Sequence, residues 1–283
     1  MPSIPRKSGN MAPSTKSGDV SYQYATAAWL TKFTGSPAWL VKVRVAILRG
    51  LIASTSERIP VDLVREHAVS PRSVLLTLSA RVPFSWHAGQ HLFLFVGDSP
   101  GIPYSIASAH DPLHPSEFEL LVSSEASAGM LAGLRARESL SVSRAQGEFV
   151  WRPSAHGSLF VGMGTGLSPL RAMLQAARLH DSKARSTLLV GVRTLDELWW
   201  HSEFESWANS EVSSFALVPT LSRAPLHWSG RRGRVQEHLA EIAADSPGSS
   251  AYVCGRPEMV SECVRLLTAE LGFPIDRVFS EAH

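Results

Sequence analysis

The residues most suited to chemistry lie in the nonapeptide VGMGTGLSP, positions 161–169 of the 283-residue chain. An apolar run enters Gly162, Gly164 and Gly166, and a helix-like sequence begins at about Ser168-Pro169. Glycines let a backbone approach a phosphate closely, and a helix start offers free N–H groups to an anion. Proline suits the first helical turn. The spacing departs from Gly-x-Gly-x-x-Gly because Leu167 takes the third glycine's place. A nucleotide pyrophosphate is the expected occupant. A second stretch, GIPYSIAS at 101–108, sets one tyrosine beside one serine with no charged neighbour. It can offer a ring face and a hydroxyl to a flat or polar partner. Other chemistries lack their residues. The eleven histidines form no HExxH-like pair or Cys/His cluster, and no GxSxG elbow is present.

These segments need elements to position them, and the hydrophobic rhythm changes twice along the chain. Residues 1–22 are rich in Ser, Pro, Gly and Lys and are expected to be disordered. Residues 25–53 read as two short helices broken at Gly35-Ser36-Pro37, so 1–56 form an extension. The second helix is amphipathic; packing on its own domain is the preferred reading over a membrane-surface contact of 25–53. From about residue 58, SVLLTL, HLFLFVG, FELLVS and SLSVSR are short strand-like runs separated by Pro, Gly and Ser clusters. They predict an antiparallel barrel over 57–153, with a helix at MLAGLRARES between the last two. After Pro153, apolar runs at 158–164, 187–192, 215–221 and 251–255 alternate with helix-like segments. That alternation predicts a parallel, doubly wound α/β domain over 154–283.

The totals bound the partners. A net charge of +2 is too balanced to propose nucleic acid. Two cysteines are too few for a disulfide framework or a four-cysteine iron–sulfur site, which fits a reducing, cytoplasmic setting. No apolar run reaches the roughly 18 residues that span a bilayer. Lys42, Arg44 and Arg49 interrupt the apolar stretch that a signal peptide would need.

GIPYSIAS, VGMGTGLSP, VGVRT, YVCGRPEMV and the closing FSEAH stand in the order found in the ferredoxin–NADP reductase superfamily. Over roughly 58–283 the chain resembles the reductase components of bacterial oxygenases and the NAD(P)H:flavin reductases. The resemblance implies a flavin-binding antiparallel barrel followed by a nicotinamide-binding α/β domain. It implies FAD or FMN as cofactor, NADH or NADPH as hydride donor, and a separate electron-acceptor protein. By the same resemblance Tyr104 lies against the flavin ring, Ser105 hydrogen-bonds near N5, and Ile106 and Ala107 line the ring with backbone groups. Ser127 and Gly129 fall in the barrel helix that meets the flavin phosphate. Gly162, Gly164, Thr165, Gly166 and Pro169 hold the nucleotide. Cys254 and Gly255 line the nicotinamide, with Cys254 positioning it, and Glu281 helps shuttle a proton to reduced flavin. Arg193, Ser222 and Arg223 follow two sheet strands where a 2′-phosphate would bind, which leaves NADH and NADPH both open.

The sequence departs from the family pattern at the phosphate. Where the family has Arg-x-Tyr-Ser, this chain has Ile102. Ala128 takes the place of a phosphate-binding Ser or Thr, and Ala145-Gln146-Gly147 stands for a Gly-Pro-x-Gly turn. His87, His91 and Arg144 are candidate replacement donors. His283 ends the chain where the family more often has an aromatic residue. The expected function is hydride transfer from NAD(P)H to flavin and onward transfer to a ferredoxin, haem protein or oxygenase. Two alternatives stay open: a flavin reductase that releases reduced flavin, and a non-catalytic nucleotide-binding protein.

Overall fold

The computed structural model describes residues 57–282 except 71, 124–126, 137, 182, 184 and 211–213. The N-terminal extension and His283, on which expectations were stated above, lie outside the described residues. Two six-stranded sheets belong to one compact unit. Among the described residues no helix is long and apolar enough to cross a membrane.

The first sheet is antiparallel. Its strands are β1 (Ile59–Ser70), β2 (Ser73–Ala80), β3 (His91–Val96), β4 (Ile102–Ser105), β5 (Glu117–Ser123) and β6 (Leu140–Val142). They pair in the order β4-β3-β6-β1-β2-β5. A bridge between Ile106 and Leu120 joins the two edges and closes the barrel. Alternation fills it: Leu92, Leu94 and Val96 point inward with Leu76, Leu78, Phe118, Leu120 and Val142. Phe93 and Phe95 are buried on the other face of β3, where the Arg58 guanidinium lies 4.3 Å from the Phe95 ring. Helix α1 (Ala128–Arg135) buries Met130, Leu131 and Leu134 against the same core.

The second sheet is parallel, with β7 (Ser158–Met163), β8 (Ser186–Val192), β9 (Phe215–Leu221), β10 (Arg231–Arg232), β11 (Ser250–Gly255) and β12 (Val278–Ala282) in the order β10-β9-β8-β7-β11-β12. Helices cover both faces, as a parallel sheet requires. On one face α2 (Leu167–His180) and α3 (His201–Ala208) pack Leu170, Met173, Leu174 and Phe204 against Phe160, Leu188 and Tyr252. On the other, α4 (Val235–Ala244) and α5 (Pro257–Arg265) pack Leu239, Ile242, Val260 and Cys263 against Leu159, Leu189 and Val253. Chain order reverses at β7, which has β8 on one side and β11 on the other. Open α/β sheets bind ligands at such a switch point, beyond the carboxyl ends of the strands.

One helix-like segment after β8 differs from the expectation. The stretch LDELWWHSEFESWA opens with a 3-10 turn at Leu195–Glu197 and is α-helical only from His201; Trp200 takes φ 60°, a left-handed backbone that separates the two. Trp199 and Trp200 instead pack against Leu75, Ala107 and Leu121 on the outside of the barrel. The basic loop after β9 is mostly exposed and is braced from within, Arg232 donating to the carbonyls of Ala224, Pro225, Leu226 and Trp228 at 2.8–3.2 Å.

Candidate functional site

The glycine turn lies where the switch point places it. Strand β7 ends at Met163, residues Gly164–Gly166 form one 3-10 turn, and α2 starts at Leu167 with Pro169 in its first turn. Gly164 has φ +54° and nothing within 4 Å of the place a Cβ would occupy. Gly166 is tight for a different reason. A Cβ there would stand 2.4 Å from the Cys254 carbonyl oxygen and 2.8 Å from the Gly255 nitrogen. Among the described residues no side chain caps the start of α2, and the Leu167 N–H is held by the Gly164 carbonyl of the preceding turn. A cradle of this shape, open at Gly164 and closed by backbone at Gly166, fits a pyrophosphate.

Cys254 sits on β11 in register with Glu281 on β12 and with Gly162 on β7. It is fully buried. Burial, and secondarily the nearby Glu281 charge, hold its thiol well above the ordinary cysteine range. The group is a protonated thiol, which can shape a pocket but is a poor nucleophile. Gly255 completes the strand, with Met163 and Met259 side chains closing over it.

On the barrel, Tyr104 and Ser105 end β4, paired with Leu92 and His91 of β3. The Tyr104 hydroxyl and Ser127 Oγ are 2.6 Å apart. Burial pushes the Tyr104 phenol upward, so it stays neutral. Ser127 therefore spends its hydroxyl on Tyr104 and does not cap α1. Among the described residues no side chain caps the start of α1, and at Gly129 nothing lies within 4 Å of a would-be Cβ. These features fit a flavin: a partly buried ring for the isoalloxazine, and an open helix start for its phosphate. Ile106 and Ala107 are fully buried. Ile102 packs against the barrel core, so the position of the family arginine supplies no charge. Arg144, one candidate replacement, is an exposed side chain paired with Glu57 at 2.7 Å. His87 is exposed, whereas His91 lies beside Ser105 in the ladder.

Helix α2 links the two halves of the site. Its N-terminal Gly166 touches Cys254, and Arg171 grips the Ala107 carbonyl at 2.8 Å. Those two contacts are five residues apart, about 7–8 Å along a helix axis. Arg193 and Arg223 lie at the ends of β8 and β9, with Arg223 N donating to the Arg193 carbonyl at 2.8 Å. The Arg193 guanidinium is taken by Glu197 at 2.6 Å. Ser222 N donates to the Val192 carbonyl, and Thr165 lies exposed on the turn. Arg171 was missed by motif reading, because its partners are 32, 52 and 64 residues away.

Comparison with known proteins agrees with this geometry. Residues 160–265 match the model of the oxidoreductase NAD-binding domain. The chain is 34% identical over 213 residues to ferredoxin–NADP reductase B of Sorangium cellulosum, covering 71% of this chain and 86% of that protein. It is 25% identical over 232 residues to the NAD(P)H-flavin reductase of Vibrio harveyi, covering 79% and 96%. Among solved structures, the ferredoxin reductase in carbazole 1,9a-dioxygenase superposes with a TM-score of 0.68 at 21% identity. That superposition covers 80% of this chain and 69% of the other, and it shows the shared fold.

Proposed function

Because the chain belongs to the ferredoxin–NADP reductase superfamily, it is an NAD(P)H-dependent flavin oxidoreductase, and we propose that it passes its electrons to a separate acceptor protein. Residues 57–153 serve in this reading as the flavin domain and 154–283 as the nicotinamide domain. The observation that carries it is the contact of the glycine turn with Cys254, itself aligned with Glu281, at the switch point of the sheet. A nucleotide whose pyrophosphate lies on Gly164–Gly166 would find Cys254 and Gly255 next to it.

Flavin, when bound, supplies a two-electron hydride acceptor that can release electrons singly. The chain's residues have separate tasks. Tyr104 offers the ring face, and Ser127 fixes its orientation through the phenol. Ser105 presents a hydroxyl at the end of β4. Cys254, kept protonated, excludes water and shapes the nicotinamide pocket. Glu281 holds a proton-accepting group on the adjacent strand. The acceptor class in this reading is a ferredoxin, a haem protein or an oxygenase component, since two cysteines are too few for a four-cysteine cluster. The extension of residues 1–56 is a candidate docking segment for it.

A second reading has its own observation. Ile102, partly buried against the barrel core, supplies no charge, and Arg144 is paired with Glu57, so the flavin phosphate lacks the family cation and one candidate replacement. A charge-assisted hydrogen bond contributes about 1.5–3 kcal/mol, hence roughly ten- to a hundredfold in affinity. That loss suits a reductase that binds flavin as a substrate and releases it reduced. Steady-state NAD(P)H oxidation with added flavin separates the two. Electron carriage to a protein predicts retained flavin and turnover that depends on the acceptor protein. Saturation in free flavin, with no gain from any acceptor protein, would sink the proposal in favour of the second reading.

A further inference from the structure

Arg171 is the most enclosed arginine of the described chain, 7% exposed, and it bonds across both sheets. From α2 its Nη1 donates to the Ala107 carbonyl at 2.8 Å and to Glu119 Oε2 at 2.6 Å, both on the barrel. Its Nε and Nη2 donate to the two oxygens of Glu203 on α3, at 2.7 and 3.3 Å. The guanidinium also lies 4.7 Å from the Trp200 ring. One turn further along α2, Gln175 repeats the pattern, donating to Glu203 at 3.0 Å and accepting from Ala109 N at 2.9 Å. Trp200, the only non-glycine residue with positive φ among the described residues, is held in that conformation with its ring on the barrel wall. Such a backbone persists where its surroundings over-determine it.

A buried charge bonded to two carboxylates is a demanding arrangement. Hydrophobic residues of the same volume often serve stability equally well. Its placement suggests a task in geometry. The planar fork fixes direction as well as charge, and it holds the carbonyl that directly follows Tyr104-Ser105-Ile106. The same helix begins, about 7–8 Å away, at the turn that touches Cys254.

We propose that Arg171 is a positioning residue for hydride transfer: through Ala107, Glu119 and Glu203 it sets the flavin-facing end of β4 at a fixed distance from the nucleotide turn. The proposal rests on the flavin and nucleotide assignments made above. Hydride transfer moves one hydrogen with its electron pair from the dihydronicotinamide to the flavin, so its rate depends steeply on that distance. Lysine at 171 keeps the charge and loses the fork. Glu203→Gln keeps the shape and loosens only the α3 side.

The experiment measures four quantities for wild type, Arg171→Lys and Glu203→Gln. They are the melting temperature, the dissociation constant of FAD or FMN from apoprotein by fluorescence quenching, the dissociation constant of ADP, and the anaerobic single-turnover rate with saturating NADH or NADPH, whichever reduces the wild type. A displacement near 1 Å predicts a rate about ten- to a hundredfold slower in Arg171→Lys. Flavin binding weakens severalfold with it, ADP binding is unchanged, and Glu203→Gln shows a smaller effect of the same kind. If Arg171→Lys does not fold, Glu203→Gln carries the test alone. Rates and flavin affinities equal to wild type, with only the melting temperature lowered, would overturn the inference and leave Arg171 a structural ion pair. A wild type that takes up neither FAD nor FMN would instead overturn the functional reading, and the inference with it.

Discussion

Replacing Gly166 with alanine should separate the nucleotide turn from β11, and the size of the effect can be worked from the contact. Gly166 has φ −60°, which any residue adopts, so the cost is one of space alone. The added Cβ would sit 2.4 Å from the Cys254 oxygen, 2.6 Å from its carbonyl carbon and 2.8 Å from the Gly255 nitrogen. Ordinary packing needs about 3.5–4.0 Å, so two backbones must part by roughly 1 Å. Overpacking of this kind costs about 1–3 kcal/mol, which in a domain of this size lowers Tm by about 2–4 °C for each kcal/mol. A shift of about 1 Å between reacting groups can cost about a hundredfold in rate. Gly164→Ala is the contrast. It meets nothing within 4 Å but has φ +54°, so it costs about 1–2 kcal/mol of backbone strain and places a methyl where the pyrophosphate would lie. Melting curves, titration with NADH or NADPH and stopped-flow reduction of bound flavin distinguish the pair. Gly166→Ala should lose stability and rate at saturating NAD(P)H, and Gly164→Ala should chiefly lose NAD(P)H affinity. A Gly166→Ala variant with wild-type Tm and rate would refute the argument that this turn is braced against Cys254.

Tyr104→Phe should leave the Ser127 hydroxyl, 4% exposed, without its 2.6 Å partner, and cost about 1–2 kcal/mol by denaturant unfolding. Flavin affinity should change little, because the ring face remains. Ile102→Arg restores a cation at the family position and should tighten flavin binding by roughly ten- to a hundredfold, read as retention through desalting. Burial pushes the Cys263 thiol from 9.0 up to about 12, so the native state favours the protonated thiol. That stability is present in full below pH 9 and is lost as pH rises towards 12, by up to about 1.4 kcal/mol for each pH unit. Urea unfolding at pH 8 and pH 10 should therefore show wild type losing about 1.4 kcal/mol more than Cys263→Ala; equal losses would contradict it.

Much of the fold was legible because each half has a strong local rhythm. The strands at 158–163, 186–192, 215–221 and 250–255 are continuous apolar runs, and α2, α4 and α5 follow them at helical period. β1 was not legible. Its central residues, Arg65, Glu66 and His67, are exposed, and bulges between Leu63 and Arg65 and between Ala68 and Ser70 disturb the period-two pattern. The interruption at Trp200 was hidden for a different reason. The residues around it have helical composition, and only the barrel wall beneath the two tryptophans explains the break. At the site, the glycine turn and the Tyr104-Ser105 segment could be read locally, since their chemistry needs neighbours in sequence. Ser127 as the partner of Tyr104, and Arg171 as the tie between the sheets, depend on contacts 23 to 64 residues apart. No spacing rule reveals those.

The central claim is that this chain binds flavin on Tyr104–Ala107 and reduces it with a nicotinamide nucleotide held by Gly164–Gly166. Its most direct test is the visible absorption spectrum of protein mixed anaerobically with FAD or FMN, before and after stoichiometric NADH or NADPH. The account predicts a flavin spectrum perturbed by binding and bleached by one equivalent of at least one nucleotide, with both effects reduced in Tyr104→Ala. A spectrum identical to that of free flavin, unbleached by either nucleotide, would contradict it.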